Sequence, residues 1–487
     1  MADRSCSEGP NREESESTVS RGKVMHQKSM HFQMELALEV GDEVLKSQPS
    51  GEAGRAAHGK ERSGSDHLPN HLMERVVERR NAIEALKRVR RNKGSPGTDG
   101  MTVGELEPYL REHWEIIRER LLAGTYQPSA VKRVLIPKCT GGMRQLGIPT
   151  VLDRFVQQLI LQVLQPVFDP TFSEHSHGFR PGRRAHDAVR KAQRYIQSGR
   201  RWVVDVDLEK FFDRVNHDVL MGKLQNRIAD RRMLGTIHRY LKAGMMADGV
   251  MVERHEGTPQ GGPLSPLLAN VLLDEVDKEL EWRGHCFVRY ADDCNVYVRS
   301  RRAGDRVLNA LRQRYAKLRL RVNEEKSTVA RVVSRKFLGY SVWVAQGGVV
   351  KLRVAPDALE EMKQRVREIT SRNGGRSMTQ VCSVLGRYLR GWKEYFKLAE
   401  TPGILAQTDG WIHRRLRMMQ LKQWKRGRTA RRALRALGLP EWLAQKGSGF
   451  AKRWWWASAL GAMHTALPGS YFERLGVPRL ATNTPTL

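Results

Sequence analysis

The sequence predicts an α+β fold. Apolar residues recur at helical spacing over long stretches, two segments read as β-hairpins, and a C-terminal stretch of about a hundred residues reads as helices throughout. With 487 residues the chain has room for several modules with real cores. Hydrophobic residues make up 40%, which argues against a wholly disordered chain. Lys and Arg number 84 against 53 Asp and Glu, a formal charge of +31. Such a charge points to a polyanionic partner, nucleic acid first, with a ribosome-like or merely soluble basic protein as the alternative.

The elements follow in order. Residues 1–66 hold nine Lys and Arg against twelve Asp and Glu, and read as a disordered leader. A helix is expected over 70–91, its apolar stripe formed by Met73, Val76, Val77, Ile83, Leu86 and Val89. It stops at the turn signal Lys93–Gly100. A second helix runs over 103–123. VKRVLIPKCTGGMRQLGIP (131–149) reads as a hairpin turning at Thr140-Gly141-Gly142, and helical patterns return at 151–168 and 185–198. RRWVVDVDLEKFF (200–212) is a β-branched run that carries acids, and VRYADDCNVYV (288–298) is a hairpin around Ala-Asp-Asp. Residues 351–460 hold 24 Lys and Arg against eight Asp and Glu, about half the net charge in under a quarter of the chain.

Five cysteines without a C-x-x-C pair give no zinc ribbon and no zinc-bound H-N-H module, and point to a reducing compartment. No run approaches a membrane span, and MADRSCSEGPNREESE lacks the apolar core of a secretory signal. A cytoplasmic protein without membrane contact is expected.

Asp205 and Asp207 sit at i, i+2 and share one face of their strand, away from Val204, Val206 and Leu208. Acids on a sheet face call for a cation, although a solvent-facing strand edge fits this segment taken alone. Tyr290-Ala291-Asp292-Asp293 puts two adjacent acids at a hairpin tip, suited to oxygen ligation of a hard divalent ion, with a plain Asp turn as the alternative. Asp207 and Asp292 meet if their strands are neighbours in one antiparallel sheet. Lys138 and Arg144 bracket a turn that can close on a triphosphate, or can be a solvated basic loop. Thr258-Pro259-Gln260-Gly261-Gly262 is a donor-rich loop whose glycines permit close approach to a ligand. Asn323-Glu324-Glu325-Lys326 reads as a helix end and Phe337-Leu338-Gly339-Tyr340 as core.

These blocks, in this order, resemble the reverse transcriptases encoded by bacterial group II introns. The resemblance rests on NKGSPGTDGMTV, IPKCTGGMRQLGIPTVLDR, SEHSHGFRPGRRAHDA, VVDVDLEKFFDRVNHD, GTPQGGPLSPLLANVLLDE, VRYADDCNVYV, VNEEKS and KFLGY, and extends through GWKEYF and GWIHRRLRMMQLKQWKR. It implies a right-hand polymerase fold: fingers over 67–200, an antiparallel-sheet palm over 201–345 and a helical thumb and maturase domain over 346–445, followed by a C-terminal segment, 446–487. It implies Asp207, Asp292 and Asp293 as metal ligands and Lys326 as the lysine proposed to protonate pyrophosphate. Lys138 and Arg144 would be the triphosphate clamp, Phe212 the gate against a ribose 2′-OH and Gln260 the nucleotide-pocket glutamine. Arg180, Arg183, Gly339 and Tyr340 would contact nucleic acid. His177 stands where the family commonly has Tyr, which touches a template contact. The absence of an H-N-H block resembles the short bacterial lineage, expected to prime from a nascent DNA strand.

The implied activity is RNA-directed DNA synthesis with two Mg²⁺ ions, for which Mn²⁺ can substitute, together with binding of the group II intron RNA to assist splicing and retrohoming. The implied partners are intron RNA, an RNA template with DNA primer, dNTPs and target DNA. The alternative is a stand-alone, domesticated or defence-associated reverse transcriptase without a maturase role. In the thumb, Val381, Leu385, Leu389, Trp392 and Phe396 form a core stripe. Arg414, Arg415, Arg417 and Lys422, on a helix over about 411–425, are the expected RNA contacts. Trp454-Trp455-Trp456 reads as core, with base stacking as the alternative.

Overall fold

The computed structural model describes residues 71–137, 143–247, 250–252, 256–258, 261–371, 374–449 and 453–481. The expected leader, Lys138 with the Thr140–Gly142 turn, and Gln260 lie outside the described residues. The chain divides into two units. One comprises the chain up to Tyr195 with Gly199–Ala330, and the other Ile196–Ser198 with Arg331–Leu487. The segments expected as fingers and most of the palm therefore share one unit, and residues 331–345 group with the helical remainder.

In the first unit, the expected helix over 70–91 is two helices, α1 (Leu72–Val76) and α2 (Arg79–Arg91), parted by Glu78 in an extended conformation. Met73, Val76 and Val89 are buried as expected, but Ile83 is 47% exposed, because the break re-aims the second helix. Next come α3 (Leu106–Leu122) and the hairpin β1 (Val131–Pro137) and β2 (Met143–Ile148), paired antiparallel. Helix α4 (Val151–Phe168) starts on the Thr150 hydroxyl, which accepts from the Asp153 backbone N–H. The buried Asp153 carboxylate in turn accepts from the Tyr126 hydroxyl at 2.9 Å and the Ser129 N–H at 3.0 Å, tying the helix start to the chain entering β1. Phe155, Val156, Leu159, Ile160 and Leu164 of α4 form the centre of the core.

Helix α5 (Ala185–Gln197) leads into β3 (Trp202–Val206), followed by α6 (His217–Gln225), α7 (Arg231–Lys242), β4 (Met245–Ala247) and β5 (Val250–Val252). Helix α8 (Ser265–Trp282) opens on Pro266 and buries Leu268, Leu272, Leu273 and Val276 against the same core. The hairpin β6 (Cys286–Tyr290) and β7 (Asp293–Val298) precedes α9 (Arg301–Lys317) and β8 (Thr328–Arg331). Two four-stranded sheets result, in the orders β2-β1-β4-β5 and β6-β7-β3-β8. The second carries the acids.

The second unit has a three-stranded sheet of β9 (Lys336–Phe337), β10 (Tyr340–Val344) and β11 (Val350–Val354), order β11-β10-β9. Helices follow: α10 (Pro356–Ile369), α11 (Met378–Tyr395), α12 (Pro402–Trp424), α13 (Gly427–Ala436), α14 (Glu441–Ser448), α15 (Trp454–Ala457), α16 (Gly461–Ala466) and α17 (Gly469–Arg474). Ser377 and Gln380 close a capping box at the start of α11. Val381, Leu385, Leu389, Trp392 and Phe396 are all buried, as their spacing predicts. The Asp409 carboxylate of α12 accepts the backbone N–H groups of Leu480 and Ala481. Among the described residues no helix is long and apolar enough to cross a membrane.

Candidate active site

β3 and β7 are neighbours and antiparallel, with Val206 opposite Cys294, so the register carried one residue further sets Asp207 opposite Asp293. β6 and β7 close at Tyr290 opposite Asp293, leaving Ala291 and Asp292 as a two-residue loop. Ala291 has φ +58°, the left-handed conformation that such a tight turn requires of its first residue. The sequence run thus becomes a hairpin tip beside the end of an acid-bearing strand.

Asp207 is fixed through its backbone. Its N–H donates to the Ser327 hydroxyl at 3.0 Å, and its carbonyl accepts from the Asn323 N–H at 2.9 Å. The segment expected as a helix end is therefore a turn that buttresses Asp207. Helix α9 has already ended at Lys317, and the polar run Asn323–Ser327 is spent on local hydrogen bonds. That turn brings the Lys326 ammonium to 3.6 Å from the Asp207 carboxylate.

Electrostatics show how crowded the acids are. The Asp293 carboxyl is pushed up to about 7, first by loss of hydration and then by the negative charges of Asp292, Asp205 and Asp207, with Lys326 pulling it down. Because Asp293 is an exposed residue of the hairpin, the loss of hydration carries less weight than the repulsion by its neighbouring acids, and that repulsion is what a cation would relieve. Among the described residues no three acid, histidine or cysteine side chains enclose an ion by themselves. An ion that also takes oxygens from substrate phosphates needs only one or two protein carboxylates, so the repelling acids fit an open site.

Around the acids, Phe212 lies in a short 3-10 turn, Phe211–Asp213, with its ring edge-on to the buried Phe211 at 5.0 Å. The Phe212 carbonyl accepts from the Thr258 N–H at 2.7 Å. A side chain at Gly261 would meet the Gly147 carbonyl of β2 at 2.5 Å. Thr258 is thus tied to the Phe212 turn, and Gly261 lies against the strand that carries Arg144.

Other expected contacts are placed differently. The side chain of Arg180 is only 3% exposed, and its guanidinium is spent on Asp169 and on the carbonyls of Ser173 and Ser176. It braces its own loop, a correction of its expected nucleic-acid contact. Arg183 is half-buried and donates to the Glu174 carbonyl at 2.8 Å. His177 is buried, and among the described residues neither ring nitrogen has a hydrogen-bond partner. Burial and then the charges of Lys191 and Arg183 push its pKa down to about 3, so the ring is a neutral packing group.

In the second unit Tyr340 is buried, packed beside Tyr395 and Phe396 and donating to the Tyr395 carbonyl, while Gly339 at φ +76° sits against the Phe396 ring. Tyr340 is core rather than a nucleic-acid contact. Arg417 of α12 is buried too, because its helix packs on both sides. Arg415 donates to the Thr370 hydroxyl, and Arg414 lies over the Trp455 ring at 4.1 Å. The Lys422 ammonium is 5.8 Å from the Trp454 ring. Trp455 and Trp456 are 40% and 50% exposed, against the expectation of core. The four-residue helix holding them is too short to bury three indoles.

Comparison with known families agrees with this geometry. Residues 136–342 match the family described as reverse transcriptase (RNA-dependent DNA polymerase), and residues 359–438 match the group II intron, maturase-specific domain. Protein YkfC of Escherichia coli is 39% identical over 193 residues, 39% of this chain and 51% of YkfC. The group II intron-encoded protein LtrA of Lactococcus lactis is 39% identical over 188 residues, 38% of this chain and 31% of LtrA. The chain thus spans about half the length of the first of these relatives and about a third of the second. A chain of the partial Cas6-RT-Cas1--Cas2 complex is 24% identical at a TM-score of 0.34, over 50% of this chain and 42% of its own.

Proposed function

Because the chain carries a reverse transcriptase domain joined to a group II intron maturase-specific domain, we propose that it is an RNA-directed DNA polymerase that also binds its group II intron RNA to assist splicing and mobility. The observation that carries the polymerase reading is the crowding of Asp207, Asp292 and Asp293 at the ends of neighbouring strands, where loss of hydration and then the like charges raise the Asp293 carboxyl. Their substrates would be a primed RNA template and dNTPs, with target DNA as a further partner.

Two Mg²⁺ ions bound there would lower the pKa of the primer 3′-OH and neutralise the departing pyrophosphate. Asp207, Asp292 and Asp293 would hold them. Asp207 keeps a fixed backbone position through Ser327 and Asn323. Lys326, beside Asp207, can present a proton to the leaving phosphate. The Phe212 ring would exclude a ribose 2′-OH. Arg144, Lys138 and Gln260 would bind the triphosphate and base.

RNA binding is better assigned to exposed cations than to the half-buried ones of α12. Arg79, Arg80 and Lys87 of α2 are exposed on one helix. The test has two arms. Asp292→Ala should abolish Mg²⁺-dependent extension of a primer on RNA while leaving intron RNA binding and splicing assistance intact. Neutralising Arg79, Arg80 and Lys87 should flatten the slope of log K against log salt by roughly 0.7–0.9 for each phosphate no longer neutralised. Extension by Asp292→Ala at the wild-type rate would overturn the polymerase assignment, and an unchanged salt slope would move the RNA surface off α2.

A further inference from the structure

The hairpin tip is held by a closed circuit of buried polar contacts. Arg289, one residue inside β6, is 1% exposed. Its guanidinium pairs with Asp277 of α8, with Nε 2.8 Å from Oδ1 and Nη2 2.5 Å from Oδ2. The remaining nitrogen, Nη1, donates to two acceptors: the Ala291 carbonyl at 2.8 Å and the Asn270 side-chain oxygen at 2.9 Å. The Asn270 amide then donates to the Gly178 carbonyl at 3.0 Å. Gly178 in turn lies against Ala291, so closely that a side chain there would come within 2.1 Å of the Ala291 nitrogen.

Ala291 is thus held at its carbonyl by Arg289 and packed closely by Gly178, in a left-handed conformation that an alanine avoids unless its surroundings impose it. The next residue is Asp292, and the direction of its carboxylate is set by the backbone of Ala291. A fully buried ion pair is weak evidence of stabilisation, since an apolar pair of similar volume often serves as well. The fork geometry of Arg289 does what an apolar pair cannot: it reaches the carboxylate of Asp277, the amide of Asn270 and the backbone of the tip together.

We propose that Arg289, with Asp277 and Asn270, is a positioning residue that aims Asp292 at the site. This rests on the polymerase reading for its consequence, but not for its structural half. Arg289 touches no substrate in this arrangement and acts through Ala291. Asn270 links the same circuit to the Gly178 loop, so the loop and the tip are held in one register.

Two variants test this. Asp277→Leu with Arg289→Met removes both charges together, so no buried charge is stranded. Arg289→Lys keeps the charge and its pairing with Asp277 but gives up the fork. Each is measured as the full chain by thermal unfolding, by backbone hydrogen exchange of the 286–298 segment without substrate, and by steady-state primer extension. The expected result is melting within about 5 °C of wild type and exchange at the tip faster by about tenfold or more. The expected kcat is about 10- to 100-fold lower, with the KM for dNTP changed by less than about twofold. Wild-type exchange and wild-type kcat in either folded variant would overturn the proposal. If the wild-type chain made no cDNA, the polymerase reading would fall, and the exchange measurement would still decide whether the circuit holds the tip.

Discussion

Replacing Arg180 separates a structural arginine from an RNA-binding one. Its Nε donates to Asp169 Oδ1 at 2.8 Å, Nη1 to the Ser173 and Ser176 carbonyls at 2.6 and 3.1 Å, and Nη2 to the Asp169 carbonyl at 2.6 Å. The guanidinium also lies 5.5 Å from the centre of the Phe172 ring. With the Asp169 side chain 22% exposed, Arg180→Ala strands a largely desolvated carboxylate and several carbonyls at once. Breaking a buried pair from one side costs about 3–5 kcal/mol, which for a unit of this size lowers the melting temperature by roughly 6–20 °C. Arg180→Lys, keeping the charge without the fork, should fall between. The assay pairs thermal unfolding with RNA binding across a salt series at a temperature where the variant is folded. The salt slope should not change, because the arginine neutralises no phosphate. An unshifted melting temperature with a slope flatter by about 0.7–0.9 would instead return Arg180 to the RNA surface.

Two further outcomes are expected. Phe212→Val should raise incorporation of ribonucleotides relative to deoxynucleotides, read from single-nucleotide extension with each substrate, and unchanged discrimination would count against a gating ring. The raised Asp293 carboxyl implies that the folded chain holds a proton there that the unfolded chain has released, so stability falls as pH rises from the ordinary carboxylate range through about 7. Asp293→Asn should melt higher than wild type at pH 8, the advantage should disappear near pH 4, and Mg²⁺ should stabilise the wild type more than the variant. Identical pH profiles by calorimetry would show that the Asp293 carboxyl is not raised.

Much of the site is legible in the sequence because it is local. The acids of β3 and the Tyr290–Asp293 tip lie in short runs whose alternation and turn chemistry define strand and hairpin directly. What supports them is not legible in that way. Ser327 and Asn323 matter only because a turn about 120 residues downstream folds back onto Asp207. Arg289 leaves a trace, a cation in an otherwise apolar strand, but its partners on α8 have no sequence spacing that announces them. Basic and aromatic residues are the hardest to place. At Arg180, Tyr340 and Arg417, the character that suggests a nucleic-acid surface is spent on interior packing. Composition counts charges without saying which ones reach water. The break at Glu78 and the exposed indoles of α15 are likewise set by packing in space rather than by periodicity.

The bond between Asp207 and Ser327 also has a consequence for synthesis on the ribosome. The strand bearing Asp207 is made early, yet its backbone partners are the last part of that unit to leave the exit tunnel. Until they emerge, β3 lacks β8 on one side, and that open edge can recruit another nascent strand. Asp207 therefore lacks its backbone anchor in a chain translated only that far. A ribosome that still holds residues 323–331 in its tunnel would display a sheet open at β3 and vulnerable to protease, and their emergence would let β8 close that edge.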